Sequence, residues 1–333
     1  MSWLKKLTNR ESRSQSTQQQ GTDITGKLPK GTQDVSQVCL DVFKSYWYQV
    51  NGVIDATLPN ASFKDGGGAI YNITSDDVDT VRNLLEQMIF LLAEEQSSGQ
   101  LMGPILEFAI TENVFEKLYF WWEHSASFKK EILLNLLKIY EVLISQAQYS
   151  LLHHKQLVGP MLKLLSSSDG PRTEELDHHI VLLLNLLCVW INRDATLLEV
   201  FFGASQNHGP TKFLLFSLLI DYIHRDGTVG QQARDALLLC MALSSENESV
   251  AEYIVETSNF CPVLATGLSG LYSTLPRHME VRADDWHCLH RSDWSNIVEL
   301  SKFMNSFEFC NSVIEVAHHT VSEQLIEFMY NGF

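Results

Sequence analysis

The chain has 333 residues, 45% of them apolar and 19% charged, with a net charge of −16. That composition suits a globular protein with a large core and argues against intrinsic disorder. The negative charge argues against a general nucleic-acid binder, because a phosphate backbone would be repelled.

The charge is uneven. Residues 1–33 hold Lys5, Lys6, Arg10, Arg13, Lys27 and Lys30 against Glu11 and Asp23, six minus two or +4, which leaves −20 for the rest. Residues 8–33 are polar and almost without apolar anchors, so residues 1–33 are expected to form a disordered basic tail. The start, MSWLKKLTNR, lacks the long apolar run of a signal peptide. Trp3, Leu4 and Leu7 with Lys5 and Lys6 make a short cationic amphipathic segment. A plain tail is the simpler reading of it; contact with anionic lipid is the alternative.

A helical pattern begins at Asp34 and runs to 333, interrupted by a Gly-rich linker at 57–77 that contains Gly66, Gly67 and Gly68. Val81, Leu84, Leu85, Met88 and Leu92 fall on one helical face. So do Ile132, Leu133, Leu136, Leu137, Tyr140, Leu143 and Ile144, and again Val229, Ala233, Ala236, Leu237, Cys240 and Met241. Thr228 with Gln231, Ser245 with Glu248 and Thr320 with Glu323 have capping-box spacing. Gly–Pro and Asp–Gly pairs at Gly103, Gly159, Asp169, Gly209 and Asp226 mark connections. The segments 180–191 and 213–223 are apolar nearly all round, as in helices buried between neighbours. No apolar run reaches the length of a membrane span. These features predict an all-α protein, an α-solenoid of stacked helix pairs, armadillo/HEAT-like but degenerate, since no clean repeat length is visible. A compact helical domain is the alternative.

Six scattered cysteines form no CxxC pair, which fits a reducing compartment rather than a disulfide framework. Cys261 stands at a helix start, where a thiol's pKa falls, but its apolar context favours a buried thiol. His287, Cys288 and His290, beside Asp284 and Asp285, are zinc-ligand types at the wrong spacing for a structural finger; no metal or other cofactor is expected. The pairs His153–His154, His178–His179 and His318–His319 lack the HExxH arrangement, and one ring of each is expected against the core. His224-Arg225-Asp226 has the letters of a kinase catalytic loop without the rest of that signature. A helix C-terminus explains it better: His224 and Arg225 complement the dipole and Gly227 takes positive φ. The Gly66 triplet lacks the Lys-Ser/Thr of a phosphate loop. No enzyme is predicted.

Two surfaces are candidates for partner contact. Gln231, Gln232, Arg234 and Asp235 stand opposite the core stripe of their helix; a solvated face is the plainer reading and a binding face the alternative. The segment around Trp286 and Trp294 presents Asp284, Asp285, Arg291 and Asp293, charges ringing aromatic anchors as at interface hot spots. Core packing of both Trp residues competes with that reading.

Several longer words are informative together: CLDVFKSYW at Cys39, MGPILEF at Met102, LLHHK at Leu151, HRDGTVGQQARDALLLCMALS at His224, FCPVLATGLSGLYSTLP at Phe260, DDWHCL at Asp284 and FEFCNSVIEVAHH at Phe307. In this order they resemble the FTS-and-Hook-interacting proteins, over residues 38 to 333. The resemblance implies the N-terminal part of a longer helical scaffold. It implies an adaptor that links early endosomes to dynein–dynactin and catalyses no reaction. The implied partners are Hook-type adaptors, FTS and a Rab-type small GTPase, with no nucleic acid. The implied location is cytoplasmic, peripheral on early endosomes through those partners. A generic helical scaffold with unrelated partners is the alternative.

Overall fold

The computed structural model describes residues 31–58, 73–97, 102–125, 127–145, 151–167, 173–202, 212–278 and 290–332. The chain divides into two units, Met1–Val38 and Cys39–Phe333. The described part of the first is helical, and its Ser36, Gln37 and Val38 are exposed. The remainder of the expected tail and the Gly66 triplet lie outside the described residues.

Every described element is helical, as expected, with no strand among the described residues. The helices are α1 (Gly31–Thr57), α2 (Ser75–Ser97), α3 (Pro104–Thr111), α4 (Val114–His124) and α5 (Lys129–Ser145). They continue as α6 (Lys155–Ser166), α7 (Glu174–Arg193), α8 (Leu198–Phe201), α9 (Leu214–Ile220) and α10 (Gly227–Glu246). The last are α11 (Glu248–Glu252), α12 (Phe260–Ser273), α13 (Arg291–Trp294), α14 (Val298–Val316) and α15 (His319–Gly332).

The apolar period builds the core as elementary helix geometry requires. On α1, Leu40, Phe43, Trp47, Val50 and Ile54 recur every three or four residues and are all buried. The predicted stripe of α5 is buried from Ile132 to Ile144. Within the unit Cys39–Phe333, α2 packs on α5, α5 on α7, α7 on α10 and α10 on α14. Beside this row, α4 packs on α6, and α12 on both α14 and α15.

Several polar ties along the row span 46 to 49 residues of chain, while the tie of His179 on α7 to Glu141 on α5 spans 38. Arg82 on α2 pairs with Glu131 on α5 at 3.1 Å, 49 residues away. Trp190 Nε1 on α7 donates to the Ile144 carbonyl of α5 at 3.1 Å, across 46 residues. Asn185 and Asn192 on α7 each donate to a carbonyl of α10, Gln232 at 3.0 Å and Leu239 at 3.4 Å, both 47 residues away. Equal separations at two points mean that α7 and α10 run parallel. The 47-residue offset between α7 and α10 falls at the upper end of the spacing of armadillo and HEAT units, about 40–47 residues.

Helix ends depart from the sequence reading. Thr228 lies inside α10, which begins at Gly227. Ser245 lies in the last turn of α10 and donates to the Ala242 carbonyl at 2.7 Å; Asn247 caps α11 instead, accepting from the Val250 amide. Thr320 lies inside α15, and the ring of His318 accepts from its amide at 3.4 Å. Gly159–Pro160 is no connection but part of α6. A proline there removes a single rung near the helix start, which burial of its neighbours Leu157, Val158 and Met161 offsets.

Candidate functional site

The best organised polar cluster lies where α9 turns into α10, at Asp221–Gly227. Gly227 has φ +74°, a conformation that a side chain would strain, and it opens α10 rather than closing α9. His224, Arg225 and Asp226 each contact a different helix. His224 Nε2 stands 3.1 Å from the Val263 carbonyl of α12. Arg225 donates to Asp177 of α7 at 2.9 Å, and Lys302 of α14 donates to Asp226 at 2.8 Å. Asp177 is buried and also accepts from the Tyr222 hydroxyl at 2.9 Å.

Arg234 on α10 closes the turn from beneath, donating to the Ile223 carbonyl at 2.8 Å and the Arg225 carbonyl at 3.4 Å. Burial holds its pKa below the usual value, against the opposing pull of Asp235 and Asp226. Two glycines permit this density. A Cβ at Gly230 would meet the Arg225 carbonyl at 1.7 Å, and one at Gly267 would meet the His224 ring at 2.0 Å.

Two cavities flank the turn. One of about 430 Å³ lies between Glu174, Asp177, Arg225 and Asp226. The other, about 590 Å³, is lined by Arg225, Arg234, Gly270, Thr274, Lys302 and Asn305, among others. Their size suits a small ligand or a partner's side chain. Several charged groups that line them are already engaged, Asp226 by Lys302, and Asp177 by Tyr222 and Arg225, while Glu174 is exposed at the first cavity. The arrangement is a junction that fixes α7, α10, α12 and α14 against one another.

The candidate contact residues fall in different surroundings. Gln231 is exposed and donates to Asp235 at 2.9 Å. Gln232, Arg234 and Asp235 are half-buried, with Arg234 directed into the turn rather than outward. Arg291 is exposed and lies 5.8 Å from the centre of the buried Trp294 ring. Asp293 belongs to α13, while Asp284, Asp285, Trp286, His287 and Cys288 lie outside the described residues. The structure thus groups Gln231, Gln232, Arg234 and Asp235 on α10.

Among the described residues, no group of three or more His, Cys, Asp or Glu is placed to hold a metal. His178 and His179 are both half-buried, so neither ring is fully in the core; His179 lies 2.8 Å from Glu141. Cys261 is buried and its thiol is pushed up to about 12. No single described helix is long and apolar enough to cross a membrane.

Sequence reasoning missed two devices. Asn185 and Asn192 stand in the apolar run IVLLLNLLCVWIN, and amides so placed need partners, which was the available signal. Glu95 on α2 accepts from the Ile105 and Leu106 amides at 2.7 and 2.9 Å, capping α3 from another helix. Its side chain occupies the space beside Gly103, where a Cβ would meet it at 2.0 Å. The word MGPILEF therefore reads as a glycine that admits the cap, a proline at the first turn, and the buried Ile105 and Leu106.

A row of packed helices, in which α7 and α10 run parallel at an offset of 47 residues, defines an all-α protein of solenoid-like arrangement. The chain belongs to the retinoic acid induced 16-like protein family, whose model matches residues 105–333. It is 49% identical over 299 residues to the mouse FHF complex subunit HOOK-interacting protein 1A, covering 89% of this chain and 27% of that one. It is 47% identical over 306 residues to the zebrafish subunit 1B, covering 89% and 26%. It is 42% identical over 349 residues to the mouse subunit 1B, covering 100% and 34%. The resemblance to FTS-and-Hook-interacting proteins is thereby established, and the chain spans between 26% and 34% of the length of these three relatives.

Proposed function

We propose that this chain is a non-enzymatic adaptor subunit of an FTS/Hook-type complex that links early endosomes to dynein–dynactin. The observation that carries the proposal is identity of 42–49% to relatives named as HOOK-interacting subunits of the FHF complex, over 89% or more of the chain. The geometry supports it. At the α9–α10 junction, carboxylates, guanidinium groups and hydroxyls are spent on helix-to-helix ties, which suits a rigid scaffold.

A scaffold of this kind works by combining modest contacts. Binding a Hook-type adaptor and FTS at one place and a Rab-type small GTPase at another raises the effective concentration of motor at the vesicle without any single tight site. Membrane association is then peripheral and indirect, with the protein cytoplasmic. Depleting the protein should scatter early endosomes away from the microtubule-organising centre, and re-expression should gather them. Unchanged endosome position and motility, with related family members also depleted, would leave a generic helical scaffold as the better description.

A further inference from the structure

Two of the buried thiols converge. Cys188 of α7 and Cys240 of α10 are both free and fully buried. Their sulfurs stand 3.6 Å apart, in contact, across 52 residues of chain. Cys261 is equally buried but faces the Val321 carbonyl, at 4.0 Å.

The two helices that carry the pair are held in register. Cys188 lies between Asn185 and Asn192, and Cys240 follows Leu239, so the two amide rungs between α7 and α10 bracket the sulfurs. On α10, Ala233, Ala236 and Cys240 recur at helical spacing and are wholly buried. Side chains that small let a neighbouring backbone come close. Closing the gap from 3.6 Å to the bond length of about 2.05 Å is on the scale of a χ1 adjustment, not of a helix movement.

The surroundings select the product. The Cys240 thiol is raised by its hydrogen bond with Cys188 and by burial, so the resting pair is two neutral thiols. A metal ion would need thiolates, and the apolar core opposes them. A disulfide carries no charge and leaves no donor unsatisfied, so the same core accommodates it.

We propose that Cys188 and Cys240 form an oxidation-sensitive pair, which a hydroperoxide converts into a disulfide brace between α7 and α10. Local opening of the row admits peroxide to one sulfur. That sulfur, as its thiolate, attacks the peroxide: the O–O bond breaks, an S–O bond forms, and water leaves behind a sulfenic acid. The second thiol then attacks the oxidised sulfur. The S–S bond forms, the S–O bond breaks, and a second water carries off the proton. The two sulfurs lose two electrons between them, and the peroxide gains both. A small-molecule thiol reverses the step by exchange. The brace closes a loop of 52 residues, so oxidation restricts the unfolded chain and stiffens the middle of the helix row. This inference is independent of the adaptor reading.

The test exposes the purified chain, without denaturant, to hydrogen peroxide for increasing times. The reaction is stopped with catalase, and the protein is then denatured, alkylated and digested. Mass spectrometry should find the Cys188 and Cys240 peptides joined, lighter than their sum by two hydrogens, and parted again by dithiothreitol. The oxidised protein should unfold at a higher denaturant concentration than the reduced protein. That difference should vanish in Cys240→Ala and persist in Cys310→Ala, which leaves the pair intact. The comparison of oxidised with reduced unmodified chain needs no variant, so poor folding of Cys240→Ala does not blunt the test. Thiols still free after prolonged exposure overturn the proposal, as does sulfinic or sulfonic acid in place of the joined peptides. Joining that occurs only in the denatured chain, or a joined form no harder to unfold than the reduced one, overturns it too.

Discussion

The Asn185 side chain of α7 donates to the Gln232 carbonyl of α10 across 47 residues of chain. One turn-pair further on, Asn192 repeats the contact with Leu239 at the same separation, though at 3.4 rather than 3.0 Å. Two equally spaced rungs fix register as well as proximity, since a slip of either helix breaks both. Asn185→Ala should cost about 1 kcal/mol, and Asn192→Ala less, in proportion to its longer bond. Denaturant unfolding at constant slope measures both. No loss at Asn185 would show that apolar packing alone sets the register.

Asp177 gathers a hydroxyl and a guanidinium in a buried position. Tyr222→Phe should cost about 1.5–3 kcal/mol, the range for a hydrogen bond to a charged partner. In the Asp177→Asn background the same replacement should cost less, because the two residues act together. Additive losses in the double variant would contradict a shared interaction.

Much of the fold is legible in the sequence, because a 3.6-residue apolar period needs only local information. Ile132 to Ile144 and Ala233 to Met241 were assignable for that reason, and they are core. The helix ends were less legible. Thr228 and Ser245 have capping-box letters, but Gly227 and Asn247 lie closer to the real boundaries and take the terminal geometry. Long-range polar partners were not legible at all. Nothing local in Glu95 says that its carboxylate will cap a helix ten residues on, and nothing local in Arg234 says that its guanidinium will fold under the preceding turn. Those choices are made by packing.

Glu95 also yields a pH signature. Burial raises its carboxyl above 4.5, by more than the Ile105 and Leu106 amides lower it. A carboxyl whose pKa is raised by folding binds its proton more tightly in the native state. Its contribution to stability is present below the unfolded value and lost as pH rises through the folded one. The stability of Glu95→Gln relative to the unmodified chain should therefore improve as the pH rises from 4.5 to neutral. Denaturant unfolding across that window measures it. A change in the opposite direction would mean that the two amide bonds outweigh burial.

The cysteines should be chemically quiet. Cys188, Cys240, Cys261 and Cys310 are buried, and burial pushes Cys261 and Cys310 up to about 12. Cys240 is raised as well, chiefly by its hydrogen bond with Cys188 at 3.6 Å. A thiol held protonated and out of water is a poor nucleophile. Mass spectrometry after brief alkylation of the folded protein should find these four unmodified, and all of them modified after denaturation. Rapid labelling of any of the four in the native state would indicate local opening of the helix row.

The central claim is that this chain serves a Hook-containing complex. Affinity purification from cells tests it most directly, with the tagged chain run beside a version extended to the length of its relatives. Hook-type adaptors and FTS should be enriched with the extended version, and with the chain itself if the region spanned by Cys39–Phe333 carries one of the contacts. Recovery of neither protein with either version, from folded material, would contradict the account.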